Sequence, residues 1–174
     1  MIFFTDLKAY GVWQEKKLYG RNGERYVVNP VAMIWDRDNY YLVCYDDEHD
    51  DTANYRIDRM ENVSEEAENI NKDERLACFD AETFRSQVFS MFSGERQNVT
   101  LKFTADTIED VLDKFGEDVN IKKIGEDYFV DVSIQVSKKF FVWVLGSRGK
   151  IKIQSPQNVE QEFYKFLEKI KSEY

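Results

Sequence analysis

Cysteine and histidine are scarce here, with two of the former and one of the latter in 174 residues. Cys44 and Cys78 lie far apart, with neither CxxC nor zinc-ligand spacing. A disulfide framework is therefore not expected, and a reducing cytoplasm suits the chain. No apolar run is long enough to span a bilayer. The N-terminal MIFFTDLK has no basic segment ahead of a long apolar one, so it does not read as a secretory signal. Internal repeats and low-complexity tracts are missing too.

What is present indicates a globular protein. Hydrophobic residues make up 43% and aromatics 15%, enough to build a real core in one large or two small domains. The net charge is −9, which repels nucleic acid as a whole. Any polyanion must then be held by a local basic cluster against that field, and a general DNA-coating role is disfavoured.

Residues 2–19 mix Phe3, Phe4, Tyr10, Val12 and Trp13 with few breakers and read as one or two strands. This apolar start, with no cap or leader, suggests a piece of a longer protein. Gly20-Arg21-Asn22-Gly23 reads as a hairpin turn, because Asn-Gly readily takes positive φ. Tyr26–Asn29 and Val31–Trp35 are expected strands, with Pro30 marking an edge or bulge between them. A polar turn at 36–39 leads into Tyr40–Tyr45, a dense β-favouring run. The charged loop 46–51 and a strand over Asn54–Ile57 follow. Short strands with small turns and no helix between them predict a small antiparallel barrel. From Glu61 to Glu74 the chain is acidic and reads as a solvated connection.

Next, Asp80 caps an expected helix that carries Phe84, Val88, Met91 and Phe92 on one face and ends at Gly94. Beyond Asn98 the pattern is strand 99–103, helix 107–116 and a hairpin of 121–124 with 128–136. A helix capped by Ser137, a strand 150–153 and a terminal helix opened by Pro156 complete it. The order β-α-β-β-α-β plus a last helix predicts a ferredoxin-like α+β domain. The expected domains are 1–64, a linker with its helix at 65–97, and 98–174.

Several chemistries fail on inspection. Cys44 lies inside an apolar strand, where cysteine usually packs, and no charge-relay set surrounds it. The acidic DDEHDD could hold a divalent ion weakly, but it lacks the spacing and turn glycine of a calcium loop, and a solvated hairpin tip is the simpler reading. GRNGER and GSRGK lack the spacing of a nucleotide-phosphate loop. No enzyme, metal or cofactor is expected. The remaining set is Tyr41, His49, Arg56 and Arg59. Arginine forks onto phosphate oxygens and tyrosine offers a ring and a hydroxyl, which suits a nucleotide or single-stranded oligonucleotide. The plainer alternative is a surface where Arg56 and Arg59 pair with Asp58 and the local acids. Composition alone favours that alternative.

A resemblance changes the weighing. YVVNP, then Tyr40-Tyr41-Leu42, then Tyr55-Arg56-Ile57-Asp58-Arg59 resemble the pattern of the WYL family of bacterial regulators, with Tyr40 at the eponymous Trp. FDAETFRSQVFSMFSGE, VTLKF, DKFG and VLGSRGKIKIQSP look like that family's linker and C-terminal extension. The resemblance implies an Sm-like, SH3-type β-barrel followed by a ferredoxin-like extension. It also implies an effector-sensing part of a transcriptional regulator, acting as a homodimer. The implied ligand is a nucleotide or single-stranded nucleic acid, on a face of Tyr41, His49, Arg56 and Arg59 with Tyr26 or Arg25 beside it. The family's usual winged helix-turn-helix is not in this sequence, so operator binding by that route is not expected of it. Asp6 stands where relatives often have Tyr, and DDEHDD adds negative charge near the implied site. The rival reading is a protein-interaction or dimerisation module whose acidic surface suits a basic partner.

Overall fold

A computed structural model describes residues 2–10, 17–19, 24–46, 51–65, 79–92 and 94–174, with backbone alone for 2–10, 17–19, 46 and 51. The expected turn at Gly20–Gly23, His49 with most of its acidic loop, Cys78 and residues 66–74 of the acidic connection lie outside the described residues. The chain divides into two compact units, Met1–Ala81 and Glu82–Tyr174.

The first unit is built from antiparallel strands β1 (Ile2–Tyr10), β2 (Lys17–Tyr19), β3 (Tyr26–Asp36), β4 (Asn39–Asp46), β5 (Asp51–Arg56) and β6 (Met60–Glu65). Tyr, Val and Ile dominate β3 and β4, residues whose branched or ring side chains suit a pleated surface. A two-residue turn joins them, with Arg37 and Asp38 at φ 45° and 64°. Positive φ at both central positions matches the right-handed twist of the flanking strands. Asn39 Nδ2 closes the turn by donating to the Arg37 carbonyl at 2.7 Å.

The expected break at Pro30 takes the form of a bulge between Pro30 and Ala32 inside one continuous strand. Before it Tyr26 and Val28 face the core with Cys44; after it Ile34 pairs across from Tyr41, and Met33 from Leu42. Leu42, Tyr55 and Met60 pack around the buried trio Tyr26, Val28 and Cys44. Cys44 is thus a core residue, and burial pushes its thiol up to about 12.

Two expectations need correction here. Residues 61–65, read as solvated connection, belong to β6, which pairs with β1 through Ile2↔Glu65, Phe3↔Ser64, Thr5↔Glu61 and Asp6↔Met60. Backbone pairing, not side-chain pattern, makes this strand, which is why its polar sequence hides it. The barrel is also not closed: the strand order is β2-β1-β3-β4-β5, with β6 on β1, and no pairing among the described residues joins β5 to β2 or β6.

The second unit follows the order α1 (Ala81–Gln87), β7 (Glu95–Phe103), α2 (Ile108–Phe115), β8 (Ile121–Ile124), β9 (Asp127–Val136), α3 (Lys138–Gly146), β10 (Ile151–Ser155) and α4 (Gln157–Ser172). Its antiparallel sheet runs β10-β7-β9-β8. Alternate residues of β7 and β9, such as Leu101, Phe103, Val130 and Ile134, are buried with Val111 of α2, Phe140 and Val144 of α3 and Val159 of α4. The molecule is therefore α+β with antiparallel sheets. Ser137 caps α3 through its Oγ, which accepts from Phe140 N, and Gly116 ends α2 at φ 91°. Pro156 occupies the N-cap of α4, one residue ahead of the expected first helical position.

The helix expected to run from Asp80 towards Gly94 stops at Gln87. The chain then turns through Ser90 and Met91, both at positive φ, and Phe92 N donates to the Phe89 carbonyl at 3.1 Å. Phe89 is the reason: its ring lies 5.2–6.2 Å from those of Phe140, Trp143 and Phe115, a placement the helix would deny it. Lys114 Nζ donates to the carbonyls of Arg85 and Val88 at 2.9 and 2.6 Å, satisfying acceptors near the helix end. Gly94 is not a helix stop but a close approach, since a Cβ there would sit 1.9 Å from the Val136 carbonyl oxygen.

No helix among the described residues is long and apolar enough to cross a membrane.

Candidate anion site on the first sheet

The ladder between β4 and β5 sets Tyr41 directly opposite Arg56. Directly opposed residues project from the same side of a sheet, so the phenol and the guanidinium share a face. The chain then makes one tight turn over Ile57–Arg59 before β6, and this turn carries Asp58 and Arg59. Tyr41 and Arg56 are half-buried; Asp58 and Arg59 are exposed.

Asp58 has claimed one of the two arginines. Arg56 Nε donates to Asp58 Oδ1 at 3.0 Å and Nη2 to Oδ2 at 2.7 Å, a fork-on-carboxylate arrangement. The Arg56 hydrogen bond holds the Asp58 carboxyl below the usual carboxylate range. In return it raises Arg56 above the ordinary guanidinium value, with a smaller favourable contribution from Tyr41 nearby. Arg59 adds to the field on Asp58 without bonding to it, and has no hydrogen bond or ion pair among the described residues. The ion-paired surface that composition favoured is thus real for Arg56 and not for Arg59.

The other expected site residues divide. Arg25 is exposed and its Nη2 donates to the Asn62 carbonyl at 3.3 Å, bridging the entrance of β3 to β6. Tyr26 is only 9% exposed, with its ring edge-on to Tyr55 at 5.3 Å. It is a core residue, and this corrects its expected place beside the ligand face. His49 is outside the described residues. No group of three or more His, Cys, Asp or Glu that could hold a metal occurs among the described residues.

What the arrangement can do is bind an anion at a planar, exposed spot. Arg59 offers a guanidinium ready for a phosphate, and Arg56 can join it if Asp58 is displaced. An exposed pair of this kind contributes only about 0–1 kcal/mol, so displacement is not costly. Tyr41 supplies a ring edge or hydroxyl alongside.

Comparisons with known proteins place this segment. Residues 15–65 match the WYL domain family. No curated protein matches the chain. Among solved structures, 98% of the chain superposes on 47% of a CRISPR Cas-related protein, with TM-score 0.50 and 16% identity. The chain also aligns over 93% of its length with 23% of proteasome accessory factor B/C (PafBC) of Arthrobacter aurescens, at TM-score 0.37 and 15% identity. The chain therefore spans under half the length of either protein. The first of these likenesses speaks to fold alone.

Proposed function

We propose, from the match of residues 15–65 to the WYL domain family, that this chain is the effector-sensing part of a bacterial transcriptional regulator. In this reading the first unit is an Sm-like, SH3-type sheet and the second a ferredoxin-like extension that transmits the signal or dimerises. The second unit's element order and β10-β7-β9-β8 strand order support the latter assignment. The ligand is a nucleotide or single-stranded nucleic acid. Arg59 takes a phosphate first, Arg56 leaves Asp58 to join it, Tyr41 stacks or donates, and His49 adds a hydrogen bond.

One observation carries this reading: the face-sharing pair Tyr41 and Arg56, with Arg59 three residues on and without an ion pair among the described residues, all inside the matched segment. In a chain of net charge −9, Arg59 and Arg56 together supply the local positive charge that an anion needs against the overall field. The test is fluorescence anisotropy with a labelled single-stranded oligonucleotide at low and moderate salt, with a duplex as control. Arg56→Ala with Arg59→Ala should weaken single-strand binding and reduce the slope of log K against log salt by about 1.4. Unchanged binding and slope would remove the site.

A second reading has its own observation. Met33, Trp35 and Tyr40 are 64%, 50% and 51% exposed on one face of the β3–β4 hairpin, with the Trp35 and Tyr40 rings 4.7 Å apart. Aromatic residues exposed together mark contact surfaces between proteins. If the first unit is a dimerisation module, Trp35→Ser should shift the sedimentation of the chain towards monomer and leave anion binding intact.

A further inference from the structure

We propose that the helix-free face of the second sheet is a binding surface for single-stranded nucleic acid, with Phe129 stacking on a base and Lys152, Lys102 and Lys122 taking phosphates. The inference stands on a different surface from the site above and does not need it.

The juxtaposition comes from strand register. Lys152 of β10 pairs with Lys102 of β7, Lys102 with Phe129 of β9, and Phe129 with Lys122 of β8. One row across the sheet therefore reads Lys-Lys-Phe-Lys. All four side chains project away from the core, because the alternating neighbours Leu101, Phe103, Val130, Ile151 and Ile153 are the buried ones. Lys102 Nζ lies 6.0 Å from the centre of the Phe129 ring, which places both on the same side. The next row is Ser155, Thr100 and Asp131, where Ser155 Oγ donates to Thr100 Oγ1 and Thr100 Oγ1 to Asp131.

The chemistry selects the occupant. Strands lie about 4.8 Å apart, so the row sets two ammonium groups on one flank of the ring and one on the other. A ring between cations suits a chain that alternates π-faces with phosphates, which is a single-stranded nucleic acid. A duplex hides its base faces and cannot use Phe129. A protein partner would find little to bury, since Phe129 and Ile124 are the large apolar side chains the open face offers and the rest is Lys, Arg, Asp, Ser, Thr, Asn and Gln. Lys102 and Lys122 are held in place by Asp127 at 2.6 Å and Asp131 at 3.3 Å, exposed pairs that compete weakly with phosphate. Lys152, and Arg96 further along β7, have no ion-pair partner among the described residues. In an acidic protein, this is a local reversal of sign.

The test uses the full chain and a fluorescein-labelled oligo-dT, with a duplex of equal length and poly-glutamate as competitors. Phe129→Leu, which keeps an apolar side chain, should weaken binding about 5- to 100-fold. Changing Lys102, Lys122 and Lys152 together to Gln should reduce the salt slope by about 2. If that triple variant unfolds by circular dichroism, Lys152→Gln alone should reduce the slope by about 0.7. A bromouracil-bearing strand should photocrosslink to the peptide containing Phe129. Wild-type binding unmoved by Phe129→Leu and Lys152→Gln, or no binding at all, overturns the proposal. Displacement by poly-glutamate as effective per charge as by oligo-dT overturns it too, since the ring then plays no part. The Arg56→Ala, Arg59→Ala variant separates the two sites: loss there with the sheet variants unaffected sinks this inference alone, and the converse sinks the first-sheet reading alone.

Discussion

Both carboxylate oxygens of Asp58 are taken by Arg56, at 3.0 Å from Nε and 2.7 Å from Nη2. The carboxylate acts as a resident anion on the arginine, standing where a ligand phosphate would go. Neutralising it should therefore open the site. Asp58→Asn is expected to tighten single-strand or pyrophosphate binding about 2- to 5-fold at low salt, with thermal stability reduced by no more than about 1 kcal/mol. Isothermal titration of the unsubstituted protein and of Asp58→Asn against pyrophosphate decides it; weaker binding in Asp58→Asn would mean that Asp58 orients Arg56 for the ligand.

Acid should act on the second sheet through Asp131. Its carboxyl is held below the ordinary value by the Thr100 hydroxyl first and by Lys122 second. A folded-state value lowered in this way contributes stability that is present above the unfolded value of about 3.9 and lost as pH falls through the folded one. Thr100→Val removes the larger cause, so Asp131 should titrate closer to its ordinary range. Carbon-detected NMR titration of the side-chain carboxyl reads this directly. An unmoved Asp131 in the variant would assign the effect to Lys122.

Lys114 ties the end of α1 to α2 by its bonds to the Arg85 and Val88 carbonyls, and its ammonium sits 4.3 Å from the centre of the Phe89 ring. Lys114→Met keeps the aliphatic stem and drops both bonds. A loss of about 2 kcal/mol in urea denaturation is expected, since hydrogen bonds from a charged donor contribute about 1.5–3 kcal/mol.

Gly94→Ala should cost stability of the size that overpacking brings, about 1–3 kcal/mol, because the Val136 carbonyl it would strike is backbone in a strand and cannot swing aside. Thermal unfolding measures it. Gly146→Ala, where nothing lies within 4 Å of the added carbon, is the control and should be neutral or better.

The second unit was legible because its sequence speaks at every level at once. Val99, Leu101 and Phe103 alternate, Ser137 caps, and Gly116 stops a helix, so local and long-range preferences agree. The first unit is harder. Residues 61–65 carry no apolar alternation, and only the vacant side of β1 makes them a strand. Helical spacing of Phe84, Val88 and Met91 predicted too long a helix, since a core wanting Phe89 outweighs three well-placed neighbours. At the site, spacing alone allowed Arg56 either to meet Asp58 or to stay available, and the geometry of one tight turn decided it. Tyr26 went astray for a related reason: its side of the sheet depends on a bulge downstream. The lysine row of the second sheet had no linear signal at all, being assembled from β7, β8 and β10, with Phe129 from β9, by strand order.

That bulge has a further consequence. Upstream of Val31 even-numbered residues of β3 point to the core with Cys44; downstream the odd-numbered ones lie on that side. The strand is thus written in two reading frames joined at one residue. A single deletion there would carry no chemical offence in itself. It would remove the extra residue and leave a regular ladder, Pro30 opposite Cys44 and Ala32 opposite Val43, with Tyr26 and Val28 still inside and Ile34 still beside Tyr41. What the extra residue supplies is therefore shape, the local bend and added twist that a bulge gives its strand, and not the choice of which side chains are buried.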